Sequence, residues 1–148
     1  MKKVLVVYYT LGGNTEKAAE FIKKGIESEG VEVVMKKGVD ATCEDLLNCD
    51  GLVIGSPDYF SYMAGGLKDF FDRTYYPSKG KVEGKPYFAF LTHGGGGKAI
   101  ESIEKIAATF KFKKVIEPIL IKNAPSKKDG EKLFEAGKEF ARKIKDEF

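Results

Sequence analysis

The chain has 148 residues, 43% hydrophobic and 32% charged, with eleven Phe and seven Tyr, so it is predicted to fold as one domain over residues 1–148. Lys and Arg exceed Asp and Glu by 25 − 22 = 3, and no basic tract is long enough to make nucleic acid an expected partner. One His and two Cys exclude a His-rich zinc site and any four-Cys metal or cluster site.

The amino terminus, Met1-Lys2-Lys3 before Val4–Tyr9, has no small-residue cleavage site after a long apolar stretch. No apolar run approaches the length of a membrane span. The expected compartment is therefore the cytoplasm, with Cys43 and Cys49 as reduced structural thiols.

In chain order, Val4–Tyr9 is a continuous β-rich run, followed by Ala18, Ala19, Ile22 and Ile26 at helical spacing. Val31–Met35 reads as a strand broken in polarity by Glu32, and Thr42–Leu47 as a short helix capped by Thr42. Leu52–Ile54 is a short apolar strand, and Leu67, Phe70, Phe71 and Tyr75 line a helix face. Tyr87–Leu91 is a strand, followed by a helix carrying Ile100, Ile103, Ile106, Ala107 and Phe110. Val115–Ile121 is the last strand, and Leu133, Gly137, Phe140, Ala141, Ile144 and Phe148 mark the last helix. Five strand-helix repeats predict an α/β fold with a five-stranded parallel sheet.

Strand composition also predicts the strand order. The first, third and fourth strands are apolar on both faces, as buried central strands are. The second carries Glu32, and the fifth carries Glu117 and Pro118, which suit a sheet edge. The order that results is 2-1-3-4-5, with its switch point between strands one and three. A ligand is expected beyond their carboxyl ends, near Thr10 and Ser56.

Thr10-Leu11-Gly12-Gly13-Asn14-Thr15 joins the first strand to the first helix. Its glycines permit close backbone approach, and a helix start with two threonine hydroxyls favours an anion. No Lys lies in the loop, so a monophosphate fits better than a nucleoside triphosphate with magnesium. The alternative is a plain strand-to-helix turn with a Thr or Asn cap. After the third strand, Ser56-Pro57-Asp58-Tyr59-Phe60-Ser61-Tyr62 places three aromatic rings in a loop, at spacing that suits stacking on a flat ring better than core packing. After the fourth, Thr92-His93-Gly94-Gly95-Gly96-Gly97 exposes backbone groups to a polar ring edge. His93, the sole histidine, either serves that ring or packs its own loop.

Val6-Val7-Tyr8-Tyr9-Thr10-Leu11-Gly12-Gly13-Asn14-Thr15, with Ala19 and Ile22, resembles the flavodoxin signature, except that Gly12 stands where Ser or Thr is usual. The resemblance implies the flavodoxin-like three-layer sandwich over nearly the whole chain. The expected unbroken last strand resembles the short-chain form. It also implies FMN, with Thr10, Leu11, Gly12, Gly13, Asn14 and Thr15 at the phosphate. Ser56, Pro57, Asp58, Tyr59, Phe60 and Tyr62 would flank the ring, and Thr92, His93, Gly94, Gly95 and Gly96 would lie at its pyrimidine side. The wording of the second loop, with Met63-Ala64-Gly65 before Leu67-Lys68-Asp69-Phe70, resembles the quinone-oxidoreductase and NADPH-dependent FMN reductase branch. Carrier flavodoxins flip a peptide in this loop when the flavin is reduced, and Gly eases the flip. Asp58-Tyr59-Phe60-Ser61 carries none, so the one-electron-reduced flavin is expected to gain less stability here.

Rival motifs fail. Gly94-x-Gly96-x-x-Ala99 matches the dinucleotide fingerprint formally, but on the fourth strand and within a glycine run. A receiver domain needs acids where Tyr9 and Ser56 stand, and a small tyrosine phosphatase needs Cys with Arg six positions on, which neither cysteine has. The expected function is FMN-based electron transfer; the alternative is an NAD(P)H-dependent quinone or FMN reductase. A scaffold without flavin would leave the glycine and aromatic loops unexplained. No catalytic side chain and no metal is expected. The partners would be redox proteins or a small-molecule acceptor, with the chain a monomer or dimer.

Overall fold

A computed structural model describes residues 1–148. The elements are β1 (Lys3–Tyr8), α1 (Asn14–Glu27), β2 (Glu32–Lys37), α2 (Cys43–Asn48), β3 (Gly51–Tyr59), β4 (Tyr62–Met63), α3 (Gly65–Ser78), β5 (Pro86–His93), α4 (Ala99–Thr109), β6 (Lys113–Lys114), β7 (Ile119–Lys122) and α5 (Lys127–Glu147). The parallel sheet runs β2-β1-β3-β5, and both β6 and β7 pair with the far edge of β5. Numbering only the five main strands, this is the predicted 2-1-3-4-5 order.

Alternation along the strands divides the core between two faces. Leu5, Val7, Leu52, Ile54, Ala89 and Leu91 meet Leu46 of α2, Phe70 of α3 and Ile103 of α4. Val4, Val6, Val53, Phe88 and Phe90 meet Ile22 of α1 and Phe140 of α5. The result is the three-layer arrangement, with β1, β3 and β5 buried between helices. Thr42 caps α2 as predicted: its hydroxyl accepts from the Asp45 N–H at 3.1 Å, and its own N–H donates to the Asp45 carboxylate at 2.9 Å.

Two predicted elements are corrected. The last strand is not unbroken across Val115–Ile121; it divides into β6 and β7. Pro118 has no N–H to give to a ladder, and pairing resumes only at Ile119 opposite Phe90. The third strand does not stop at Ile54; it continues to Tyr59. Ser56 and Pro57 stay paired with Leu91 and Thr92 of β5. On the other side the β1 ladder ends at Gly55, which leaves an open edge where Pro57 is tolerated.

The segment expected to be a loop is thus largely a hairpin. Asp58 pairs with Met63 and Tyr59 with Tyr62, across a turn of Phe60 and Ser61. Their φ values of 58° and 62° are those of a type I′ turn, held here without glycine. The Asp58 carboxylate accepts the Ser61 N–H at 2.9 Å and helps to hold it.

Candidate functional site

The carboxyl ends of β1, β3 and β5 open onto one cleft of about 250 Å³. The first loop contributes Thr10, Leu11, Gly12, Asn14 and Thr15 to its wall. The strand beyond the switch point contributes Pro57, Asp58 and Tyr59, and the loop after β5 contributes Thr92, His93 and Gly94. Asn123, just past β7, closes the set. The three segments singled out in the sequence therefore meet in space.

The first loop leaves backbone donors free at the start of α1. Gly13 is the N-cap of α1 with φ 98°, a left-handed conformation natural to glycine. Having no side chain, it caps nothing, and the N–H groups of Asn14, Thr15 and Glu16 have no protein acceptor. The alternative of a side-chain-capped turn is therefore not what forms. Thr10 Oγ1 accepts the Gly13 N–H at 2.9 Å and so shapes the loop. Thr15 is 1% exposed, and its Oγ1 lies 2.8 Å from Thr92 Oγ1. A Cβ placed on Gly12 or Gly94 would meet nothing within 4 Å, so open space lies beside bare backbone at both.

The second segment has divided roles. Ser56 is fully buried; its hydroxyl donates to the Pro57 carbonyl at 2.7 Å and accepts the Ala64 N–H at 2.9 Å, so it braces the hairpin. Asp58 joins two elements: beside its bond to Ser61, it accepts the Ala99 N–H at 3.2 Å, at the start of α4. Tyr59 is the aromatic ring that lines the cleft, and burial, then the neighbouring Tyr9, pushes its hydroxyl above the usual phenol range. Phe60 at the hairpin tip is completely exposed, and Tyr62 is 43% exposed; neither lines the cleft.

In the third segment, Gly95 and Gly96 are exposed and stand outside the wall, as does Gly13 of the first loop. His93 lines the cleft, and its Nδ1 is buried with no hydrogen-bond partner in the protein. Asn123 was not anticipated. Its N–H donates to the His93 carbonyl at 2.8 Å, and its φ of 62° is one that Asn tolerates. The only sequence signal for it is an Asn placed immediately after the last strand.

No Lys or Arg lines the cleft, and Asp58 is its sole carboxylate. Tyr8, beneath the first loop, is pushed well above the phenol range by burial and by its 2.8 Å bond to Glu16, so it stays protonated. Both cysteines are free, and burial raises the Cys49 thiol to about 11, which makes it an inert structural group. No helix is long and apolar enough to cross a membrane.

Among proteins of known kind, a 44% identical relative over 98 residues is a flavodoxin of Aquifex aeolicus, covering 66% of this chain and 53% of the relative. A quinone-oxidoreductase QR2 of Triphysaria versicolor is 36% identical over 119 residues, covering 64% of this chain and 58% of the relative. The chain thus spans a little over half the length of these two curated relatives. A solved flavodoxin from the domain Archaea superposes with a TM-score of 0.86 at 29% identity, over 97% of this chain and 99% of its own. The family model described as NADPH-dependent FMN reductase matches residues 34–122, which takes in the second and third segments of the cleft. On that match the chain belongs to the NADPH-dependent FMN reductase family, among the flavodoxin-like proteins.

Proposed function

We propose that residues 1–148 form one FMN-binding domain that transfers electrons. The observation that carries this reading is the convergence of three uncapped N–H groups at α1, the Tyr59 ring and the glycine loop after β5 on one cleft. The donor set fits the group. The free N–H groups with Thr10, Asn14 and Thr15 suit a phosphate, Tyr59 gives a flat face, and the orphaned His93 Nδ1 lies in the wall where a polar ring would rest. Bound FMN would supply the redox chemistry. The chain's residues hold the phosphate, orient the ring and keep cations away from it. Redox proteins or a small-molecule acceptor are the proposed partners, and the second reading, an NAD(P)H-dependent quinone or FMN reductase, is favoured by the family match and the quinone-oxidoreductase relative.

Purified protein should release FMN on heating, at one per chain, and chromatography distinguishes it from FAD. Recovery of FAD at that ratio would sink the reading. Anaerobic reduction then separates the two functions. Oxidation of NADPH by the loaded protein with a quinone acceptor supports the enzyme, whereas stable one-electron uptake without NADPH oxidation supports the carrier.

Asp58 gives a further expectation. A negative charge in the cleft wall opposes an electron added to a ring resting there, an effect on the order of tens of mV for a partly screened charge. Asp58→Asn keeps one acceptor for the hairpin, gives up the one that holds the Ala99 N–H, and should raise the potential of the bound flavin, on the order of tens of mV. A potentiometric titration with no upward shift would place the ring away from this carboxylate.

A further inference from the structure

Thr15 and Thr92 come from elements 77 positions apart, the start of α1 and the end of β5, and both are nearly inaccessible, at 1% and 4% exposed. Their hydroxyl oxygens lie 2.8 Å apart, and either can be the donor. A threonine hydroxyl has one proton and two lone pairs. If Thr15 gives its proton to Thr92, it turns only lone pairs toward the cleft and repels an anion. If Thr92 gives its proton to Thr15, the Thr15 proton is free to point at that anion. The two arrangements have the same heavy-atom geometry and opposite consequences for binding.

We infer that Thr92 is a positioning residue that donates to Thr15 and thereby aims the Thr15 proton at the phosphate of the bound nucleotide. This rests on the reading that the first loop holds the FMN phosphate. The chain of donors runs Thr92 to Thr15 to phosphate, and each bond polarises the next. No Lys or Arg lines the cleft, so neutral donors carry the whole task of holding the charge, and the direction of each proton matters more. The arrangement also ties the first loop to the strand that ends at His93. Ligand discrimination follows. Riboflavin, which has the ring and no phosphate, gains nothing from the pair.

The test measures binding of FMN and of riboflavin to the apoprotein by quenching of flavin fluorescence. Thr92→Val keeps the branched shape and removes the hydroxyl; Thr92→Ala removes it without risk of a clash; Thr92→Ser retains it. The expected result is a rise of about tenfold in the FMN Kd for both hydroxyl-free variants, with riboflavin unchanged and Thr92→Ser close to wild type. In a Thr15→Val background, Thr92→Val should add nothing, because it acts through Thr15. An unchanged FMN Kd overturns the inference. So does an equal loss for FMN and riboflavin, which marks a structural role, and so does a full loss persisting in the Thr15→Val background, which marks direct contact. If the wild-type protein binds riboflavin as tightly as FMN, the phosphate reading itself fails, and the inference with it.

Discussion

Gly25→Ala is expected to destabilise the protein by about 3 kcal/mol, because the methyl would have to occupy the backbone of another helix. A Cβ on Gly25 of α1 would lie 2.0 Å from the Phe134 carbonyl oxygen of α5. The contact is reciprocal, since a Cβ on Gly137 of α5 would lie 2.3 Å from the Ile22 carbonyl oxygen of α1. Neither obstacle is a side chain that can swing aside. The helices must separate, and separation loosens Ile22, Ile26, Leu133, Phe140 and Ile144, which are all fully buried. Alanine's better helix propensity returns only about 1 kcal/mol, and the 3 kcal/mol is net of it. At this size each kcal/mol lowers the melting temperature by roughly 2–4 °C, so a fall of about 6–12 °C is expected. Gly137→Ala should behave alike, and the double variant should cost less than the sum, because one displacement accommodates both methyls. Gly12→Ala, which meets open space, is the control. A Gly25→Ala melting temperature within a degree of wild type would mean that α1 and α5 can part freely.

That helix contact was hidden in the sequence, and the reason applies to other positions. Glu32 and Pro118 marked the sheet edges because charge and a missing N–H act locally, whatever the strand packs against. Thr42 was readable as a cap for the same reason. Gly25 and Gly137 look like ordinary helix-weakening residues until the second helix is present. Ser56 looked like a ligand contact because its position beyond the third strand was right; only the fold reveals that its hydroxyl is spent on Pro57 and Ala64. The Phe60–Ser61 turn carries none of the Asn-Gly chemistry that announces a type I′ hairpin, so the segment read as a loop. Both residues adopt positive φ without glycine, a conformation that L side chains rarely take. Asn123 joins the cleft through the His93 carbonyl, a contact across two strands that no local pattern encodes. What was legible in the cleft was which three segments meet there, and what was not was which of their polar groups pair within the protein.

Thr15 both lines the cleft and pairs with Thr92, and Thr15→Ala should lower FMN affinity roughly ten- to a hundredfold. A hydroxyl that donates to a charged phosphate contributes about 1.5–3 kcal/mol, which spans that range. The Asn14, Thr15 and Glu16 N–H groups remain, because the substitution leaves the backbone of α1 intact, so binding weakens without vanishing. The fold should survive with a modest cost. Alanine fits the buried space, but the Thr92 hydroxyl, 4% exposed, loses the one partner it has in the protein. That loss is about 1–3 kcal/mol of stability at most, and a water entering beside the cleft would reduce it. Riboflavin affinity separates the two effects: loss confined to FMN is loss at the phosphate, whereas loss of both would come from a displaced β5 end and its His93. The family match begins at residue 34, beyond this loop, so the experiment bears on a part of the site that lies outside that match. An FMN dissociation constant unchanged by Thr15→Ala would put the phosphate somewhere other than the amino end of α1.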